Sequence, residues 1–98
     1  ILAHPGLITE DDVKLAKKKR IYLEISGRKG HSFTNGHVAA VALKIGAKVV
    51  FNSDTHLPDD LISKDKARKI LSGCGISDSN LNGVFKNSRD IVNKLLKK

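Results

Sequence analysis

Apolar positions along the chain follow two patterns. Three short runs are dominated by aliphatic, branched or aromatic residues: residues 1–3 (ILA), 21–25 (IYLEI) and 48–52 (KVVFN). Apolar runs this short are typical of strands in parallel sheets buried on both faces. Between them the apolar spacing is helical. His4-Pro5-Gly6 is a turn signal. Thr9 then reads as an N-cap, with Glu10, Asp11 and Asp12 in the first turn, where negative charge suits a helix start. Val13, Leu15 and Ala16 give that helix its apolar side, and it is predicted to run to about Lys19. Residues 26–36 (SGRKGHSFTNG) form a polar loop, long for a connection between packed elements. A second helix is predicted over 37–45, capped near Thr34 or Asn35 and ended by Gly46. Residues 53–60 (SDTHLPDD) are a loop, followed by a helix over 61–72 with a break near Ser63 and a stop at Gly73 and Gly75. Residues 77–85 read as a short helix or turn. A last helix is predicted from Ser88 to Lys97, capped by Asn87.

The order β-α-β-α-β-α-α predicts an α/β fold of parallel strands joined by helical crossovers. In such folds chemistry collects in the loops leaving the carboxyl ends of the strands. His4 follows the first predicted strand, Arg28 and His31 the second, and Asp54 and His56 the third, so all five fall on one rim. Asp54 and His56 are two residues apart, and in an extended segment they point the same way. A carboxylate with an imidazole suits zinc, manganese or iron. The competing assignment makes Asp54 a cap for the following helix, with His56 packed beside Pro58 and His4 purely structural. Arg28 and Lys29 are placed to meet a phosphate, Arg28 being the better bidentate partner. His31 could be a proton donor, an extra ligand or neither; Asn35 and His37 are assigned to the cap and first turn of the second helix.

Composition narrows the classes. Ninety-eight residues allow one domain, and 40% apolar with 29% charged residues is ordinary for a globular protein. No apolar run approaches the roughly 20 residues of a membrane span, and no segment is laid out as a secretory signal. A cytoplasmic location with no membrane partner is the expectation. The single Cys74, between Gly73 and Gly75, has no partner for an internal disulfide and reads as structural. The net charge of +8 gathers at 14–20 (KLAKKKR) and 94–98 (KLLKK), both late in predicted helices. There it can serve the helix ends or attract phosphate-bearing partners, small phosphoester or nucleic acid. Three Phe and one Tyr, none grouped with the basic clusters, supply no stacking platform for single strands.

The segments ILAHPG, YLEIS and GAKVVFNSDTH, in this order and spacing, resemble the C-terminal half of the PHP (polymerase and histidinol phosphatase) superfamily. HPG is similar to that family's third motif and SDTH to its fourth, Asp-x-His. The resemblance implies a distorted seven-stranded (β/α) barrel with two or three divalent transition metals (zinc, manganese or iron) on the carboxyl rim. His4, Asp54 and His56 would be metal ligands, and Asp54 would hold the metal whose water attacks phosphorus, with Arg28 stabilising the phosphoryl oxygens. The family's His-x-His motif and its intervening glutamate and histidine ligands have no counterpart here; Glu24 matches a common family position outside the ligand set. Residues 1–98 therefore read as the C-terminal portion of such a barrel. With too few ligands for a multinuclear centre and an open sheet edge, they would be prone to self-association. The function implied is a metal-dependent phosphoesterase, similar to histidinol-phosphate phosphatases, acting on a phosphorylated small molecule or a phosphodiester. The alternative is a non-catalytic RNA-binding subunit, similar to a protein component of ribonuclease P. A nuclease or proofreading activity would use the same metals.

Overall fold

The computed structural model describes residues 1–3, 5–27, 31–52 and 63–96, with His31 described in its backbone only. The chain forms a small α/β unit: helix α1 (Glu10–Lys18), strand β1 (Leu23–Ser26), a 3₁₀ turn (His31–Thr34), helix α2 (Asn35–Ile45), strand β2 (Val49–Asn52), helix α3 (Lys64–Gly73) and helix α4 (Asp78–Leu96). The strands are parallel, with Leu23 level with Val49 and Ser26 level with Asn52. Of the first predicted strand, the described residues retain one parallel bridge, Leu2 to Leu23. Leu2 donates to the Tyr22 carbonyl (2.8 Å) and accepts from the Glu24 N–H (3.1 Å), so the chain enters beside β1 before the turn at Pro5 and Gly6.

Local chemistry accounts for the helix ends. The Thr9 hydroxyl accepts from the Asp12 N–H at 3.2 Å, and Ser63 does the same for Lys66. The break predicted near Ser63 is thus the cap of α3. Helix α2 ends on Gly46 at φ +83°, a left-handed position that favours glycine. Helix α1 closes on a left-handed residue too, but without a glycine. Its N–H donors at Arg20 and Ile21 reach the carbonyls of Lys17 (3.1 Å) and Ala16 (2.8 Å), the doubly bonded close in which the residue at the turn is left-handed. That residue is Arg20, at φ +58°.

Strand periodicity divides the sheet. Leu23, Ile25 and Val49 lie in the apolar core with Val13 and Ala16 of α1, Val38, Ala39 and Ala42 of α2, Leu71 of α3, and Leu81 and Val84 of α4. Glu24, Ser26, Val50 and Asn52 alternate to the other face. One expectation fails. Residues 78–96 are a single helix, not a short element followed by a helix from Ser88. Leu81 and Val84 are buried three apart, and Phe85 packs against the same core, so one continuous face outweighs the helix-weakening Asn80, Asn82 and Gly83. Asn87 accordingly caps nothing: from inside α4 its amide donates to the outward carbonyl of Val49 at 2.9 Å, covering part of the β2 edge. Helices α3 and α4 are joined by Lys64 and Arg68, 5.4 and 5.3 Å from the centre of the Phe85 ring. No helix among the described residues is long and apolar enough to cross a membrane.

Candidate functional site

The carboxyl rim of the sheet is built from the ends of three parallel segments at Ala3, Ser26 and Asn52. The ladder continues one residue past β1, where the Gly27 N–H donates to the Asn52 carbonyl at 2.8 Å. On the other side of β1, Asn35 takes the place of a neighbouring strand. Its Oδ1 accepts from the Ser26 N–H (3.1 Å) and its Nδ2 donates to the Ser26 carbonyl (2.7 Å). Asn35 and Ser26 are both buried. One side-chain amide thus reproduces the donor–acceptor pair of a strand and fixes the start of α2 to the end of β1. The sequence assigns Asn35 to the helix cap; the N-cap is Thr34, and the asparagine has this other task. In the next turn His37 donates from Nε2 to the Ile8 carbonyl at 2.6 Å, tying α2 to the segment before α1.

Glu24 is the one buried acid among the described residues, and its Oε2 accepts from Asn52 Nδ2 at 3.0 Å across the strands. A carboxylate and an amide are therefore locked together on the rim face. The sequence ranks Glu24 outside the ligand set, and its burial in the strand was hidden inside a run that otherwise reads as apolar. The predicted residues His4, Arg28, Asp54 and His56 lie outside the described residues. Among the described residues no group of three or more His, Cys, Asp or Glu is arranged to hold a metal. Cys74 is the C-cap of α3, the helix-end position that its structural assignment expects. Its thiol donates to the Leu71 carbonyl at 3.1 Å, and partial burial pushes its pKa up, away from thiolate chemistry.

The opposite, amino rim carries a group of four basic residues. A cleft of about 390 Å³ opens between the last turns of α1 and α4 and the residues that lead into the two strands. Lys17, Arg20, Lys48 and Lys94 line it, with Ile21 and Tyr22 as its apolar wall. No acidic residue among those described lines it. Tyr22 is thereby grouped with basic residues, contrary to the expectation from sequence. Lys17 donates to the Ile45 carbonyl at 3.0 Å, serving the end of α2.

No family model matches the chain, and no solved structure matches it. The chain is similar to the uncharacterized protein MJ1295 of Methanocaldococcus jannaschii, with 43% identity over 85 residues. That match covers 87% of this chain and 39% of the archaeal protein, so the chain spans about two fifths of its relative.

Proposed function

We propose that the chain is the carboxyl-terminal part of a PHP-type metal-dependent phosphoesterase, similar to histidinol-phosphate phosphatases. The observation that carries this is the parallel alignment of the Leu2 bridge, β1 and β2, whose ends share one rim. In sequence, His4 comes one residue after Ala3, Arg28 two after Ser26, and Asp54 two after Asn52. Three segments of candidate chemistry thus leave the same edge, the arrangement on which α/β sheets build their sites. Two imidazoles and a carboxylate are a donor set suited to zinc, manganese or iron. His4, Asp54 and His56 would hold the ions, which supply an activated water and charge neutralisation at phosphorus. Arg28 would pair with the phosphoryl oxygens and orient them. The Asn35–Ser26 and Asn52–Glu24 bonds hold the ends of β1 and β2, the strands that Arg28, Asp54 and His56 follow in sequence, a positioning role.

The test uses the intact protein that carries this chain. Elemental analysis should find about two or three transition-metal ions per chain, and an aryl phosphate should be hydrolysed. Asp54→Ala should lower turnover at least about a hundredfold, since loss of even an outer partner of a metal ligand costs 10–100-fold. Turnover equal to that of the unmodified protein would remove Asp54 from the mechanism.

A further inference from the structure

We propose that the amino rim is a binding surface for a single-stranded nucleic-acid backbone. This does not rest on the phosphoesterase proposal, because its residues lie at the other end of the strands. Helix ends explain part of the charge: Lys17 and Lys94 sit in the last turns of α1 and α4, where cations are favoured. They do not explain Lys48, which precedes β2 and whose own carbonyl is engaged in the ladder with Leu23. Nor do they explain Arg20. The left-handed turn that closes α1 is a glycine position, and the chain places an exposed arginine there, pointed by that turn into the cleft lining. Strain retained beside a concave, like-charged surface is the signature of a residue kept for what it binds. Three separate parts of the chain thus bring cations to one depression with no described acid among them, an arrangement that an anion stabilises.

Shape selects the anion. The cleft is large enough for a nucleotide, and Tyr22 and Ile21 offer one face on which a base can rest. A second, shallower groove lined by Lys14, Lys17, Lys18 and Lys44, the last paired with Glu10, shares Lys17 with the first. The charge therefore runs on as a track across the ends of α1 and α2, matching a chain of phosphates better than a single one.

The experiment is fluorescence anisotropy of a labelled oligouridylate of about 12 nucleotides, whose backbone can span both grooves. With three or four phosphates neutralised at about 0.7 ions each, binding should weaken roughly 20- to 50-fold between 50 and 200 mM salt. Arg20→Gly, Lys48→Ala and Lys94→Ala should each weaken binding and flatten the salt slope by about 0.7. Lys66→Ala and Lys86→Ala, on the exposed surfaces of α3 and α4, should leave it unchanged. Arg20→Gly keeps the fold by design, since glycine suits the turn, so its loss of affinity cannot be ascribed to unfolding. The proposal is overturned if the cleft variants bind as tightly as the original. It is also overturned if inorganic phosphate or uridine monophosphate competes at the same concentration as the oligomer, which marks a small-anion site. Binding to phosphatidylserine vesicles without binding to the oligomer overturns it too.

Discussion

The two ends of one short parallel sheet are organised by opposite rules. At the carboxyl end, polar groups are matched, buried where Asn35 meets Ser26 and half-buried where Asn52 meets Glu24. At the amino end, cations are exposed and gathered without described carboxylates among them. Where the groups are matched, removing one should cost stability. Where backbone strain is held among like charges, at Arg20, removing the side chain in favour of glycine should increase it. A residue whose loss stabilises the fold is held for another reason, and this separates the surface that is built from the surface that is used.

The largest effect expected on the carboxyl side is that of Asn35→Ala. It takes from the buried Ser26 N–H and carbonyl the bonds that the amide supplies, at about 2–4 kcal/mol for two backbone groups. Asn35→Asp keeps an acceptor for the N–H but turns a second oxygen toward the carbonyl, so it should recover little. Urea unfolding reads both. If Asn35→Ala left the midpoint where it was, the carboxyl rim would not be a matched network and the contrast would fail there. Against a total stability of about 5–15 kcal/mol for a domain, such a loss is large.

Asn35 also shows where the sequence stops being legible. The patterns that place Thr9 as a cap and Gly46 as a stop are local, and both features stand in the structure. Both full strands fall within two residues of their predicted bounds, because continuous apolar runs report burial on both faces. The partner of Asn35 lies nine residues earlier, across a loop, and the preference of asparagine for helix starts hides the longer-range bond. The continuity of helix α4, predicted only from Ser88 onward with a short helix or turn before it, is missed for a related reason. Asn80, Asn82 and Gly83 lower local propensity, while the burial of Leu81 and Val84 that outweighs it depends on a sheet elsewhere in the chain. The basic cleft is legible only as charge clusters; that Lys48 and Lys94 meet Arg20 is a fact of the fold. The proposed ligands His4, Asp54 and His56 stand on motif resemblance and on the parallel order of the segments they follow in sequence.

On the amino side the expected sign is reversed. A left-handed conformation costs a residue with a Cβ about 1–2 kcal/mol that glycine does not bear. Arg20→Gly should therefore raise the urea midpoint by an amount corresponding to about 1 kcal/mol, glycine's greater freedom in the unfolded chain offsetting part of the gain. Arg20→Ala keeps the strained turn and should not show this gain. Were Arg20→Gly to destabilise the fold, the arginine would be a structural residue and the division between the two ends would lose its main support.

The smallest effect sharpens the contrast, because one lysine of the basic track has an acidic partner. Lys44 bonds to Glu10, and that hydrogen bond, with the lysine's charge, holds the Glu10 carboxyl below the usual glutamate range. A folded-state pKa depressed in this way contributes stability that is present above the unfolded value and is lost as the pH falls through the folded one. Lys44→Ala should consequently lower the urea midpoint slightly at neutral pH and leave it unchanged once the medium is acid enough to protonate Glu10 in the folded protein. The pair is exposed, so the difference should also shrink as salt is added. Salt also separates the two candidate sources of an Arg20→Gly gain, because Arg20 has cations around it and arginine and lysine keep their charge in acid. A gain that persists at high salt shows that backbone strain sets it. A gain that disappears as salt is added assigns it to relieved repulsion between cations, and the arginine's left-handed turn would then carry no cost worth retaining.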